Sequence, residues 1–426
     1  MGSDLEKPAS ANFVGGTRWI VVALLFAAVA LSYIDRQVLS VLKPTLQREY
    51  AWSETGYGNV VFWFQAAYGL GYLAFGRIVD KIGARLGYAL AVTLWTVGHM
   101  AHALVTSTLG FAVVRIPLAL GESGAFPASL AAVSEWFPTR ERALAIGLFN
   151  AGSNIGAILA PLIVPLITLA FGWRMAFVLT GLLTVIWLAV WLWFYRRPRE
   201  HKMLSQKELA HIESDPVEPH APIPWSKLLG MRQTWAYICG RFLIDPIWWT
   251  FLFWLPDFFG KRYGLDLKSY GPPLVAIYVL ADVGSILGGW GSSSLLERGF
   301  SLNMSRKLAM LVCALAVVPV AFAYNVGSIW LAVGLIGVAC AGHQGFSANL
   351  YALPSDLFPR WAAGSVVGLG GAAGALGGML MAKFAGWVLD TVGSYGPIFA
   401  VAACAYLVAL AVVHSLVPRY ASPAAG

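Results

Sequence analysis

The chain has 426 residues, of which 58% are apolar and only 12% charged, with a formal net charge of +8. A soluble domain carries about 25% charged residues, so this composition excludes a soluble enzyme and leaves a polytopic membrane protein, with room for about twelve spans of ~20 residues. Long apolar runs in place of period-two alternation exclude a β-barrel. No basic cluster is interleaved with a soluble fold, so the positive balance reads as loop bias in a membrane and not as a nucleic-acid surface. The four cysteines, Cys239, Cys313, Cys340 and Cys404, lie in apolar stretches without metal-ligand spacing. Neither a metal site nor a disulfide framework is expected from them.

A polar tail, 1–17, comes first. The run from Trp19 is too long for a cleavable signal and lacks its small-residue site, so it should stay as the first span. Spans follow at about 19–42, 56–76, 87–107, 110–136, 144–170 and 174–195, closing a first unit at 18–195. The polar segment 196–230 holds RRPRE, SQKEL and the Pro-rich EPHAPIPW, and reads as a linker with a short amphipathic helix near 205–213. Six further spans, at about 233–259, 271–296, 306–325, 328–356, 362–389 and 396–417, make a second unit at 231–417, before a tail at 418–426. With both termini cytoplasmic, nineteen of the 29 basic residues fall on that side and six outside. This positive-inside bias sets the expected orientation. The expectation is an all-α membrane protein of twelve transmembrane helices in two pseudo-symmetric six-helix halves, surrounded by lipid.

The halves are related by a shift of 221 residues, which lays GESGAFPASLAAVSEWFP (121–138) on GHQGFSANLYALPSDLFP (342–359). Gly121, Gly124, Ser134 and the Phe137–Pro138 pair fall on Gly342, Gly345, Ser355 and Phe358–Pro359. The same orientation after an even number of spans means a parallel repeat. In this register Glu122 faces His343, while Arg115 falls on Ile336.

Arg115 and Glu122 are seven residues apart in one span, so they share a helix face to within roughly 20°. Each charge at membrane depth costs roughly 2.5–3.5 kcal/mol and usually faces a cavity or a partner. In the first span Asp35 and Arg36 are neighbours, pointing about 100° apart, so they need not neutralise each other. The loop GRIVDKIGARLG (76–87) matches G-x-x-x-D-[RK]-x-G-[RK]-[RK] with Ala84 in place of a basic residue. In it Gly76 should permit tight packing. Asp80 should cap a helix or pair with an arginine, and with Arg85 and Arg142 it is the expected conformational latch. Arg241 and Asp245, four apart, should pair on one helix face. Lys383 could snorkel or pair with Asp282, and the sequence does not choose.

These motifs carry a resemblance. YIDRQVLSVLKPTL, GESGAFPASLAAVSEWFPTRERALAIGLFNAGSNIGAILAP and RFLIDPIWWTFLFWLPDFFGKRYGLDLKSYG, with the 76–87 loop, resemble the major facilitator superfamily. Within it they are similar to the anion:cation symporter branch and its bacterial hexuronate transporters. The resemblance implies a proton-coupled importer of galacturonate or glucuronate in the bacterial inner membrane, working by alternating access as a monomer, with no cofactor other than the coupling proton. It implies that Arg36 holds the substrate carboxylate, that Asp35 and Glu122 are protonatable, and that Arg115 pairs with Asp35 and releases it on protonation. An Arg fork suits a carboxylate. Tyr33, Tyr68 and Asn154 from the first half, and His343, Gln344, Ser347 and Asn349 from the second, are candidate partners for the sugar hydroxyls. Trp249, with Trp248, Phe251 and Phe253, is a candidate to stack on the sugar ring. Another organic anion remains the alternative substrate. A drug/proton antiporter is disfavoured because LFNAGSNIGAILAP does not match G-x-x-x-G-P-x-x-G-G.

Overall fold

The computed structural model describes residues 16–214, 225–358 and 360–420. Most of both tails and the Pro-rich part of the linker lie outside the described residues. In the first half the helices are α1 Thr17–Tyr50, α2 Glu54–Ala101, α3 Thr108–Trp136, α4 Thr139–Asn150, α5 Gly152–Phe171 and α6 Trp173–Phe194. The linker carries α7 Gln206–Ile212 and α8 Trp225–Leu229. The second half has α9 Arg232–Tyr263, α10 Gly271–Glu297, α11 Leu302–Val317, α12 Ile329–Leu357, α13 Arg360–Thr391 and α14 Gly396–Leu416.

Ten of these segments are long and apolar enough to cross a membrane, α4 and α5 counting as one run. Helix α2 supplies two more crossings. Its 48 residues would stretch about 72 Å as one straight helix, against a hydrocarbon core of ~30 Å. It breaks at Gly83, where φ is +80°, a region that a residue without a Cβ enters freely. The expected loop at 76–87 is therefore mostly helical, and the chain reverses at one residue. Serine hydroxyls cap the helix starts at Ser53, Ser107, Ser301 and Ser328, each accepting a backbone N–H, which satisfies one of the four free donors there.

Prolines inside α3, α5, α9 and α12 each remove one helical hydrogen bond. The kinks are used in packing. Pro246 cannot donate to the Phe242 carbonyl, and a Cβ on Gly377 of α13 would stand 2.4 Å from that oxygen. Only glycine lets α13 lie against the kink. The halves meet where α2 packs on α13, α5 on α10, and α1 on α9.

The two ends of the bundle differ. At the end away from the linker, Lys43 of α1 lies 2.6 Å from Glu54 of α2 and 2.8 Å from Asp257 of α9. Lys261 of α9 pairs with Glu54 and, at 3.1 Å, with Asp257. Asp390 of α13 accepts the N–H groups of Glu54 and Thr55 at 3.0 and 2.7 Å, Lys383 donates to Asn59, and Tyr57 donates to the Phe253 carbonyl at 2.9 Å. Each of these contacts except Lys43–Glu54 and Lys261–Asp257 joins the two halves. Lys383 thus finds a partner on α2 and not Asp282.

At the linker end, the ion pairs among the described residues stay within a half, stay within the linker or tie a half to the linker. Glu208 of α7 caps α1, accepting from the Arg18 backbone N–H at 3.1 Å and pairing with its guanidinium at 3.2 Å. Arg18 also pairs with Glu141 at 3.0 Å, and Arg306 with Asp356 at 2.9 Å. Arg85 donates to the Leu192 carbonyl at 2.6 Å, and Arg142 to the carbonyls of Phe137 and Ser134 at 2.9 and 3.1 Å. Both arginines thus bind helix ends of their own half. Among the described residues Asp80 is exposed and has no ion pair, and a Cβ on Gly76 would meet nothing within 4 Å. The acid of the expected latch thus has no ion-pair partner among the described residues, and Gly76 is not a close-packing position.

Candidate functional site

Asp35 and Arg36 leave α1 toward different neighbours. The Arg36 guanidinium meets Glu122 of α3, with Nε 2.8 Å and Nη2 2.7 Å from the same oxygen, Oε2. Both side chains are buried, and Arg36 Nη1 and Glu122 Oε1 have no hydrogen-bond partner. Aromatic rings enclose the cation: Tyr33 at 4.7 Å, Tyr68 at 5.0 Å, Phe64 at 5.5 Å and, from the second half, Trp249 at 4.7 Å. Ring faces attract a guanidinium by about 0.5–2 kcal/mol each when it is desolvated. The box holds a charge that the membrane interior would otherwise expel. It also leaves one guanidinium edge and one carboxylate oxygen unclaimed.

Local packing brings α3 to this point. A Cβ on Gly121 would stand 2.3 Å from the Trp95 nitrogen, and one on Gly98 would stand 2.4 Å from that of Leu118. The two glycines let the backbones of α2 and α3 touch, which carries Glu122 onto the face of α1.

Arg115 does not pair with Asp35. Its Nη2 donates to the Arg36 carbonyl at 2.9 Å, and its guanidinium lies 4.8 Å from the Phe64 ring. Nε and Nη1 are buried without a partner. Arg115 therefore holds the backbone of α1 beside the site and adds a second, largely uncompensated positive charge to it. Asp35 turns the other way, toward α2 and α6. His99 Nε2 lies 3.2 Å from Asp35 Oδ1, and Thr184 donates to Oδ2 at 3.1 Å. His99 and Thr184 are absent from the sequence-based set. His99 was findable: it is an ionisable residue inside an apolar span, the signal that singled out Arg115 and Glu122.

The second-half candidates separate from Arg36. His343 shares a hydrogen bond of 2.6 Å with Tyr406 of α14, stands 3.3 Å from Ser347 and stacks on Trp248 at 5.1 Å. Asn349 donates to the carbonyls of Gly288 and Gly345, both at 3.0 Å. There it ties α10 to α12. His343, Ser347 and Asn349 thus bond within their own half, as interhelical polar groups often do. Gln344 is half-buried. Asn154 faces Asp282 of α10 across the half-to-half contact. Of the second-half candidates, Trp249 is the one that touches Arg36. Arg241 and Asp245 do pair on one face of α9, at 2.6 Å, with Tyr351 donating to Asp245 at 2.9 Å.

A buried guanidinium paired with one carboxylate and boxed by rings from both halves sets a charged pair inside the membrane-spanning bundle, where such groups mark a substrate or ion pathway. The family model described as Major Facilitator Superfamily matches residues 25–381. The chain belongs to that superfamily, whose members are transporters. It is 34% identical, over 92% of its length and 91% of the relative, to the hexuronate transporter of Escherichia coli (strain K12). It is 36% identical, over 72% of its length and 90% of the relative, to the galacturonate transporter of Dickeya chrysanthemi. Among solved structures, a bacterial homolog to the human lysosomal transporter Spinster, inward-facing and occupied, aligns with a TM-score of 0.72 at 18% identity, covering 95% of each chain. That likeness shows the fold.

Proposed function

We propose that the chain imports a hexuronate, galacturonate or glucuronate, together with protons across the bacterial inner membrane, as a monomer with both termini in the cytoplasm. The observation that carries this reading is the Arg36–Glu122 pair inside its aromatic box. One guanidinium cannot serve two carboxylates equally. When Glu122 is ionised it occupies Arg36 through one oxygen. When Glu122 takes a proton, Arg36 becomes free to make a bidentate, charge-assisted pair with the uronate carboxylate. Proton and sugar acid then bind together, and each carries the other. Arg115, with two unclaimed N–H groups, keeps the pocket positive enough for the exchange. Tyr33, Tyr68 and Trp249 offer ring faces to the sugar's C–H groups, and the two tyrosines offer hydroxyls to its OH groups. The named relatives transport hexuronate and galacturonate, which supports the substrate.

The unequal ends support alternating access. The Lys43–Glu54–Asp257–Lys261 cluster closes the end away from the linker by joining the halves. At the linker end Arg85 and Arg142 donate to carbonyls of their own half, and Asp80 has no ion pair among the described residues. This is the arrangement of a carrier closed to the outside. The return step breaks the outer cluster and engages the Asp80 loop.

The test is uptake of labelled galacturonate and glucuronate into proteoliposomes under an inward proton gradient. Saturable uptake that collapses with a protonophore is expected. Absence of saturable uptake of either acid would remove the substrate assignment. Uptake indifferent to the gradient would remove the coupling.

A further inference from the structure

We infer that His99 is the proton relay between Asp35 and the outer aqueous phase, on a path through His102 that is separate from the sugar site. This rests on the proton-coupled reading above and names the residue through which Asp35 is charged.

Asp35 lies at the middle of α1 with no described contact to the Arg36–Glu122 pocket. Its neighbours fix the tautomers. Thr180 donates its hydroxyl to the Ala176 carbonyl at 2.9 Å, so it accepts from His99 Nε2 at 2.7 Å. Nε2 therefore carries the hydrogen, and Asp35 Oδ1 lies 3.2 Å from the same nitrogen. The other nitrogen, Nδ1, is buried and has no partner. His102 has the opposite tautomer: its Nδ1 faces the carbonyls of Gly98 and His99 at 2.8 and 3.2 Å, leaving Nε2 buried and unpartnered. The two rings are 6.3 Å apart, and both pack on Phe177. His102 opens the short turn His102–Leu104 that ends the helix away from the linker, and Leu104 is 84% exposed. The line Asp35–His99–His102 thus runs from mid-bundle to the helix end away from the linker.

A packing role leaves a histidine with both nitrogens satisfied, as for His343, which has Tyr406 and Ser347. Here each imidazole keeps one nitrogen buried without a partner. That is what a relay needs, since a ring passes a proton by receiving it on one nitrogen and giving it from the other. In the step, His102 Nε2 takes a proton from the outer side and gives that same proton to His99 Nδ1, returning to its starting form. The His99 Nε2–H bond breaks and the Asp35 Oδ1–H bond forms. His99 is left neutral with its hydrogen on Nδ1. Among the described residues, the charged and titratable groups around this pair are Arg36 on α1, Arg115 and Glu122 on α3, and His102; α6 contributes Thr180 and Thr184. Arg36 is engaged by Glu122 and Arg115 by the Arg36 carbonyl, so neither competes for Asp35.

The experiment compares two transport modes of the full chain in proteoliposomes, with galacturonate as probe. Counterflow exchanges sugar acid without net proton movement, while uptake driven by a pH gradient needs the relay. His99→Gln keeps a donor toward Thr180 but cannot pass a proton by tautomerism. It should retain counterflow while gradient-driven uptake falls about 100-fold, the scale of a lost acid–base group. In an Asp35→Asn background, adding His99→Gln should cause no further loss of driven uptake. His102→Gln, which does not touch Asp35, should show the same split and stands in if His99→Gln fails to fold. Gradient-driven uptake that survives in both single variants, beside a proton-driven wild type, would overturn the relay. A wild type that exchanges galacturonate without any response to the gradient would instead sink the coupled reading on which it rests.

Discussion

The two halves place titratable groups at matched depth but treat them differently. In the first half Arg36, Arg115, Glu122 and His99 each keep at least one buried polar atom without a partner. In the second half Arg241 binds Asp245 and Tyr237, Asp245 also takes Tyr351, and His343 takes Tyr406 and Ser347. Among the described residues, no polar atom of Arg241, Asp245 or His343 is buried without a partner. A satisfied polar network rigidifies its surroundings, whereas an incomplete one in a low dielectric is strongly biased to take up whatever completes it. The difference teaches that depth and residue type do not make a transport site. Unspent hydrogen-bonding capacity does, and it is concentrated where α1, α2 and α3 meet.

The hardest blow to the comparison falls on Arg36. Arg36→Lys replaces a planar fork with a point charge that cannot bridge a carboxylate or fill the ring box, and galacturonate affinity should fall by about 100-fold, near 2.7 kcal/mol. Binding titrations on the purified chain would read it, and unchanged affinity would remove Arg36 from the site. Next comes Glu122→Gln. It frees Arg36 permanently, so counterflow should persist while the dependence of uptake on the pH gradient disappears. Loss of exchange as well would mean that Glu122 contacts the sugar or supports the fold. Asp245→Asn is the matching change in the second half. It leaves Arg241 buried beside tyrosines with its ion pair broken, a loss of about 3–5 kcal/mol in stability. The expected signature is a lower Tm in detergent with the gradient dependence of the surviving uptake intact. A changed gradient dependence would place proton coupling in both halves and erase the contrast.

Much of this was legible in the sequence because the physics is local. Apolar run length gave the spans, and the 221-residue register gave the repeat. The cost of charge at membrane depth singled out Arg115 and Glu122, and the ~100° between neighbours on a helix anticipated that Asp35 and Arg36 diverge. What was not legible required knowing which helices touch. The implied Asp35–Arg115 pair fails because the contact of α2 with α3, made through Gly98 and Gly121, puts His99 next to Asp35. Arg115 is left to the Arg36 carbonyl. Lys43, Glu54, Asp257 and Lys261 lie near the ends of expected spans, and nothing in one sequence says that three helix ends converge. Asp80 and Arg85 match the loop pattern whichever end is open, so the pattern carries no information about state.

The smallest expected effect is the most pointed, because it concerns the residue opposite Glu122 in the repeat. His343 was a candidate sugar ligand, yet its ring is stacked on Trp248 with an interplanar angle of 3° and its nitrogens face Tyr406 and Ser347. His343→Gln fits the space and keeps one of these hydrogen bonds. The other is worth about 0.6 kcal/mol on the scale of interhelical bonds in membranes. A small drop in Tm is therefore expected, with the galacturonate KM for gradient-driven uptake unchanged. A KM raised by about tenfold, equivalent to 1.4 kcal/mol, is more than one such bond supplies. It would mean that α12 turns His343 toward the sugar during the cycle, and that the second half also offers the substrate a polar group.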